Sequence, residues 1–347
     1  MSITEQINSR ITRIGVPLAG NPLRELNAYF VRGRDRDFLV DTGFRTEDCL
    51  EALMEGLRDI GWNQARTDIL LTHLHSDHSG LAADAAGKHS RVYLSRRDLD
   101  YMRMVNAGKT TRTVAERFLE EGFPENLVEE NLRNNPVMKA RCRVIDDRFI
   151  PIDDGAVLDA GDVKLRMVLT PGHTPGNSMF WLEEDGIMFT GDHVLFTITP
   201  NITSWTVMKD ALGDYLDSLV RVRNYPVRLA LPGHRERGDY GGRIDSLIHH
   251  HLRRLEETEG IVRKNPGFSG YDIAGHMTWR IRAKNWDEFP VVQKWFAMGE
   301  ALAHLDYLVL RGKILRDENF GLHRYYLVEE NEKGAADTDA FSHDVLD

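Results

Sequence analysis

Thr72-His73-Leu74-His75-Ser76-Asp77-His78 is the stretch on which the reading of this 347-residue chain turns. It follows directly on Asp68–Leu71, an apolar run with the length of a buried strand. Three imidazoles and a carboxylate therefore cluster at a strand end. Imidazole nitrogen and carboxylate oxygen are the donors that bind zinc, and catalytic zinc sites leave a position open for water. In extended backbone, alternate side chains share a face, so His73 and His75 can meet one cation. The chain then turns, and Asp77 and His78 are expected to face a second.

This heptapeptide resembles the HxHxDH signature of the metallo-β-lactamase superfamily. The resemblance covers roughly residues 14 to 258 and implies three later ligands, each at a strand end. They are His173 in Thr170-Pro171-Gly172-His173, Asp192 in Thr190-Gly191-Asp192-His193, and His234 in Leu231-Pro232-Gly233-His234. A glycine precedes each, which lets the backbone turn sharply. The implied roles are His73, His75 and His173 on one zinc, Asp77, His78 and His234 on the other, and Asp192 bridging. Asp77 and Asp192 are thereby the expected catalytic carboxylates. A metal-bridging hydroxide is the expected nucleophile, since two cations lower the pKa of a shared water. Asp41, in Leu39-Val40-Asp41-Thr42-Gly43, resembles the family's aspartate beneath the metals and would orient a ligand imidazole. Two zinc ions per chain are expected, although iron and manganese accept the same His/Asp set.

The implied fold is α/β, an αββα sandwich, followed by a small C-terminal winged-helix-like domain. Aspartate at 192 separates the chain from the branch with a cysteine ligand there, and His75 separates it from diiron flavoproteins with glutamate. Gly191–Leu195, Thr199–Ile202 and the helix after His234 look like the branch containing the lactamase-like endoribonuclease and acyl thioesterases. Asn177 departs from that pattern, standing where a second histidine is common.

Working outward, Leu26–Val31 and Asp37–Val40 read as a hairpin, Thr46–Leu57 as a helix and Val92–Leu94 as a strand. Residues 98 to 142 are charged and helical in propensity. They read as a helical insertion with soft apolar contacts from Met102, Met104 and Met138, covering the metal cleft and offering Met102, Met104 or Phe118 to the substrate. Strand-like segments resume after Arg143, with turns at Ala160-Gly161-Asp162 and Glu184-Asp185-Gly186. Helices are expected over Met208–Val222 and from about Gly242 to Glu259, with a strand at Arg228–Leu231 between them. Asn265-Pro266-Gly267 then marks a boundary. The expected division is 1–260 catalytic, 261–330 winged-helix-like and 331–347 an acidic disordered tail.

The chain carries 44 basic and 54 acidic residues, net −10. Residues 261 to 328 hold +3 and residues 329 to 347 hold −6, leaving −7 for the first 260. That argues against a surface that grips nucleic acid throughout. Cys49 and Cys142, with no CxxC pair, build neither a disulfide framework nor a thiolate zinc site. No apolar leader and no run of about 20 apolar residues is found, so a cytoplasmic protein away from membranes is expected. Consecutive His249, His250 and His251 point three ways from a helix and cannot chelate one ion together. His193 adjoins a ligand position, whereas His89, His276, His304, His323 and His343 read as incidental. Hydrolysis of a small-molecule acyl thioester or ester is the expected activity. The alternatives are a metal-dependent endoribonuclease or phosphodiesterase, and a metal-retaining regulator with slow turnover. The oligomeric state is left open.

Overall fold

A computed structural model describes residues 3–134, 140–280 and 283–328. Met138 and the acidic tail lie outside the described residues. Seven strands form the first sheet in chain order: β1 (Thr4–Gln6), β2 (Ile11–Pro17), β3 (Glu25–Arg32), β4 (Asp37–Val40), β5 (Thr67–Leu70), β6 (Val92–Ser95) and β7 (Phe149–Ile152). Pairing is antiparallel from β1 to β4 and parallel from β4 to β7. The second sheet runs β12-β11-β10-β9-β8, built from β8 (Val157–Asp159), β9 (Lys164–Leu169), β10 (Ser178–Leu182), β11 (Ile187–Gly191) and β12 (Leu229–Pro232). Only β11 and β12 are parallel in it.

Strand periodicity explains the layers. Along β10, Phe180 and Leu182 face the space between the sheets, while Met179 and Trp181 face the helices outside. Along β4, Phe38 and Val40 point inward and Leu39 outward. The inner core joins Val40, Leu70, Phe180, Phe189 and Leu231 from both sheets. Outside the first sheet lies α1 (Glu47–Asp59), whose Cys49, Leu53 and Leu57 recur at helical spacing and are buried. Each of those leucines contributes about 1.5–3 kcal/mol by burial. Outside the second sheet lie α7 (Ala211–Arg223), α8 (Tyr240–Lys264) and α10 (Val291–Leu310). The order helix, sheet, sheet, helix is the sandwich expected above.

Some elements differ from expectation. β1 and β2 were not anticipated; in β2, Arg13 and Gly15 break the alternation. In β2, Ile11 nevertheless enters the inner core, and Ile14 and Val16 the outer one. α7 begins at Ala211 rather than Met208, because the Asp210 carboxylate caps it by accepting from Gly213 N. α8 runs unbroken to Lys264, across the division expected at 260/261, and ends at Asn265.

Between β5 and β6 the chain makes two single-turn helices, α2 (Ser76–Ser79) and α3 (Ala82–Ala85). The expected insertion contains α4 (Arg96–Asn106), α5 (Thr111–Glu120) and α6 (Glu125–Asn134). Its apolar residues are placed otherwise than anticipated. Met102 is buried in the outer core of the first sheet, Met104 is exposed, and Phe118 stacks on Trp295 of α10 at 4.0 Å. After α8 come α9 (Gly270–His276), α10 and an antiparallel hairpin of β13 (Ile314–Asp317) and β14 (Arg324–Leu327). Both cysteines are free and buried. Among the described residues no helix is long and apolar enough to cross a membrane.

Glu121, just after α5, ties the insertion to this C-terminal hairpin. Its buried carboxylate accepts from the Tyr325 hydroxyl at 2.9 Å and from His323 Nδ1 at 2.9 Å, and pairs with Arg117 at 3.0 Å. Glu121→Ala would strand these partners inside the protein. We expect a loss of about 3–5 kcal/mol, the usual cost of breaking a buried pair, measured by urea denaturation.

Candidate metal centre

The four motifs meet at one edge of the sandwich, where β5, β9, β11 and β12 end. The turn after β5 delivers His73 and His75, and α2 then swings Asp77 and His78 inward. Three groups of potential ligand atoms lie within 4.8 Å of one another: His73, His75, His173; His73, His78, Asp192; and Asp77, His78, His234. All seven anticipated residues are thus brought together. His73 Nε2 is 3.0 Å from His75 Nδ1, and His78 Nε2 is 3.2 Å from His234 Nε2. Asp192 spans the two halves: Oδ1 lies 3.4 Å from His78 Nε2 and 3.6 Å from His234 Nε2, and Oδ2 lies 3.8 Å from His173 Nε2.

The far sides of the rings decide what their near sides offer. A carbonyl oxygen only accepts. His173 Nδ1 therefore donates to the Asn201 carbonyl at 2.8 Å, and His234 Nδ1 to the Glu25 carbonyl at 2.8 Å, leaving each Nε2 bare. His78 Nδ1 donates to Asp41 Oδ2 at 2.8 Å. The Thr72 hydroxyl donates to the same oxygen at 2.8 Å, so it can accept from His73 Nδ1 at 3.0 Å. Asp41 also takes Thr72 N at 2.8 Å, and its own φ is 60°, in the left-handed region. Bare nitrogens about 3 Å apart repel unless a cation lies between them. Consistently, His173 Nε2 and Asp192 Oδ1 are buried with no hydrogen-bond partner.

The electrostatics agree. Burial holds His73 well below the usual imidazole range and pushes His75 down to about 3, with neighbouring imidazoles adding to it. Burial also lowers His173. At His78 burial opposes charge, but Asp192, Asp41 and Asp77 overcome it and raise the pKa well above the ordinary value. Carboxylates that attract a proton there also attract a cation. Burial would raise Asp77 and Asp192, yet the surrounding imidazoles lower both, Asp77 to about 2.

Two glycines are required by space, and one of them by conformation as well. Gly172 has φ 132°, and a Cβ there would run into the Tyr215 backbone. Before His234 the reason is close approach instead of a turn. A Cβ on Gly233 would lie 2.7 Å from His78 Cε1 and 2.8 Å from Asp192 Oδ1.

Sequence reasoning missed three residues here. Asp98, on the first turn of α4, is fully buried and accepts from Leu74 N at 2.9 Å, the Thr174 hydroxyl at 2.7 Å and Gly176 N at 2.6 Å. It braces the first motif against the third, and burial pushes its carboxyl up to about 7. Its signal was slight, one aspartate shortly after the Ser95 cap in a charged stretch. Trp205 stacks on His75 at 6.0 Å and meets Tyr101 edge-on at 5.2 Å. The insertion thus reaches the site through Tyr101 and not through Met102 or Phe118. Asn177 turns to Thr170, donating to its hydroxyl at 2.9 Å. His193 is buried against Tyr215, and His251 and His304 form a separate buried pair at 3.3 Å.

Fold and site together define a metal-dependent hydrolase. Residues 22–234 match the metallo-beta-lactamase superfamily, and the chain belongs to it. Residues 287–328 match the metallo-beta-lactamase-like C-terminal domain. The chain is similar to a metallo-beta-lactamase family protein from Thermus thermophilus, with 29% identity, TM-score 0.78, and 93% and 100% of the two chains covered. It is 24% identical to the beta-lactamase-like protein 2 homolog of Caenorhabditis elegans, over 80% of this chain and 81% of that one. It is 26% identical to an atrochrysone carboxyl ACP thioesterase of Aspergillus novofumigatus, over 66% of this chain. The match spans 55% of that thioesterase's length.

The fold implies divalent metal ions, and the donor set fits them. Asp41→Asn would weaken the brace behind His78 and should lower divalent-cation affinity about 10–100-fold, read by competition with a chelator.

Proposed function

We propose that this hydrolase is binuclear, uses zinc, and cleaves an acyl thioester or ester. The observation that carries the reading is the division of the donors into two sets, His73/His75/His173 and Asp77/His78/His234, with one oxygen of Asp192 toward each. Two cations held there would polarise the scissile carbonyl and acidify a water so that it serves as nucleophile near neutral pH. The chain's own part is aim and exclusion. Asp41, Thr72 and the Asn201 and Glu25 carbonyls keep the ring nitrogens bare, and Asp98 keeps the first and third motifs in register. Buried walls keep bulk water from competing for the donors.

The surroundings favour a carboxyl over a phosphoryl ester. Among the described residues, no lysine or arginine is hydrogen-bonded to or ion-paired with any of the seven donors. A polyphosphate backbone needs several cationic contacts in register. A thioester needs one polarised carbonyl, a stabilised thiolate and an apolar wall for its acyl group. Trp205 and Tyr101 supply such a wall beside His75. The thioesterase relative supports the same chemistry. The +3 balance of residues 261 to 328 favours a second reading, ribonuclease or phosphodiesterase activity.

Elemental analysis should find about two metal ions per chain. Asp192→Ala should cut turnover by at least about 10²–10³-fold, the range for losing one charge-stabilising group. His250→Ala, at a half-buried position of α8 outside the seven donors, should leave metal content unchanged; metal loss there would refute the ligand assignment. Thioester and single-stranded RNA turnover, compared across about 50 to 200 mM salt, separates the two substrate readings. We expect thioester hydrolysis that depends weakly on salt. RNA cleavage that falls steeply with salt, without thioester hydrolysis, would replace this reading with the nuclease.

A further inference from the structure

His173 is held from two sides by a loop with no helix or strand of its own over residues 201–205. The Asn201 carbonyl fixes its Nδ1–H at 2.8 Å, and Trp205 Nε1 donates to its backbone carbonyl at 3.2 Å. The same indole stacks on His75. One short loop therefore sets two of the three rings in the His73/His75/His173 set.

What fixes the loop is α10, whose Gly299 and Asp306 lie far beyond His173 in the chain. Ser204 N donates to the Gly299 carbonyl at 3.0 Å, and the Ser204 hydroxyl donates to Asp306 Oδ2 at 2.7 Å. Asn201 Nδ2 reaches toward Glu300 Oε2 at 3.4 Å, and Arg254 holds Glu300 from the other side at 3.3 Å. Gly299 permits the contact, since a Cβ there would collide with the Thr203 hydroxyl. The other donor set is braced differently: His234 by the Glu25 carbonyl of β3, and His78 by Asp41 after β4.

We propose that α10 is a positioning element for one half of the metal centre. Gly299 and Asp306 act through the 201–205 loop on His173 and His75, and leave Asp77, His78 and His234 untouched. This rests on the reading that His73, His75 and His173 together hold a cation.

The test uses the full chain, zinc and a competing chelator. Gly299→Val should push the loop off α10, and Trp205→Phe should remove the indole N–H while keeping a ring against His75. Each should weaken one zinc constant about 10–100-fold, as loss of an outer hydrogen-bond partner does, and leave the other unchanged. Tyr325→Phe loosens the C-terminal hairpin without touching the loop, and should leave both constants alone. Unchanged constants in Gly299→Val and Trp205→Phe would overturn the proposal. So would a parallel fall of both constants, or an equal effect of Tyr325→Phe. Should Gly299→Val fail to fold, Trp205→Phe decides. Should the wild type bind a single zinc, the binuclear reading fails, but the comparison stands: that one constant drops in the loop variants or the positioning role is wrong.

Discussion

Everything at the edge of the sandwich serves one difficult requirement: bare nitrogen and carboxylate atoms must converge, out of water, with no protein partner to satisfy them. Buried polar atoms left unpaired are costly, and like lone pairs facing each other more so. The arrangement persists because the far sides of His73, His78, His173 and His234 are pinned. Asp41 takes three donors at once, from Thr72 N, Thr72 Oγ1 and His78 Nδ1. The backbone cost of that brace is visible in its left-handed φ of 60°. The strands beneath supply rigidity, since β4, β5, β11 and β12 are buried along their length apart from Leu229 at one end.

The donors themselves were legible in the sequence because their identities are chemically narrow. His73, His75, Asp77 and His78 announce themselves by spacing, and His173, Asp192 and His234 follow from the resemblance that spacing established. The braces were mostly not legible. Asn201 and Glu25 contribute carbonyl oxygens, which any residue has, so no side-chain pattern could mark them. Asp98 was hidden in a charged stretch, where one carboxylate looks like the rest. The fold was read well where periodicity was clean, as at β10 and α1. It was missed at β2, where polar residues and a glycine interrupt a segment whose partners in the sheet nevertheless bury it. Met102 and Phe118 show a related limit: apolar spacing says that a side chain is buried, not against what.

The C-terminal elements are joined to the body on two sides. Glu121 collects Tyr325, His323 and Arg117 at one end of the insertion, and Phe118 stacks on Trp295 nearby. A single core runs from Met179 and Trp181 of the second sheet through Tyr215 and Leu247 to Leu302, Ile314 and Tyr325. The helix that faces the 201–205 loop is therefore not free to drift. Whatever else that region does, it is mechanically continuous with the sheet that carries His173, Asp192 and His234.

The donors are also spread along the chain in an order that matters during synthesis. Each set needs a residue from the second sheet, His173 for one and His234 for the other. At about 5–20 residues per second, some 8–30 seconds separate the emergence of His78 from that of His234. In that interval the first sheet can form around its four clustered donors, and the His73/His75/His173 set gains its last member before the Asp77/His78/His234 set does. A nascent chain then offers only a partial ligand cluster, weaker and less selective than the finished one. The full constellation of both sets therefore exists only once the second sheet, with His173, Asp192 and His234 at its strand ends, has been made.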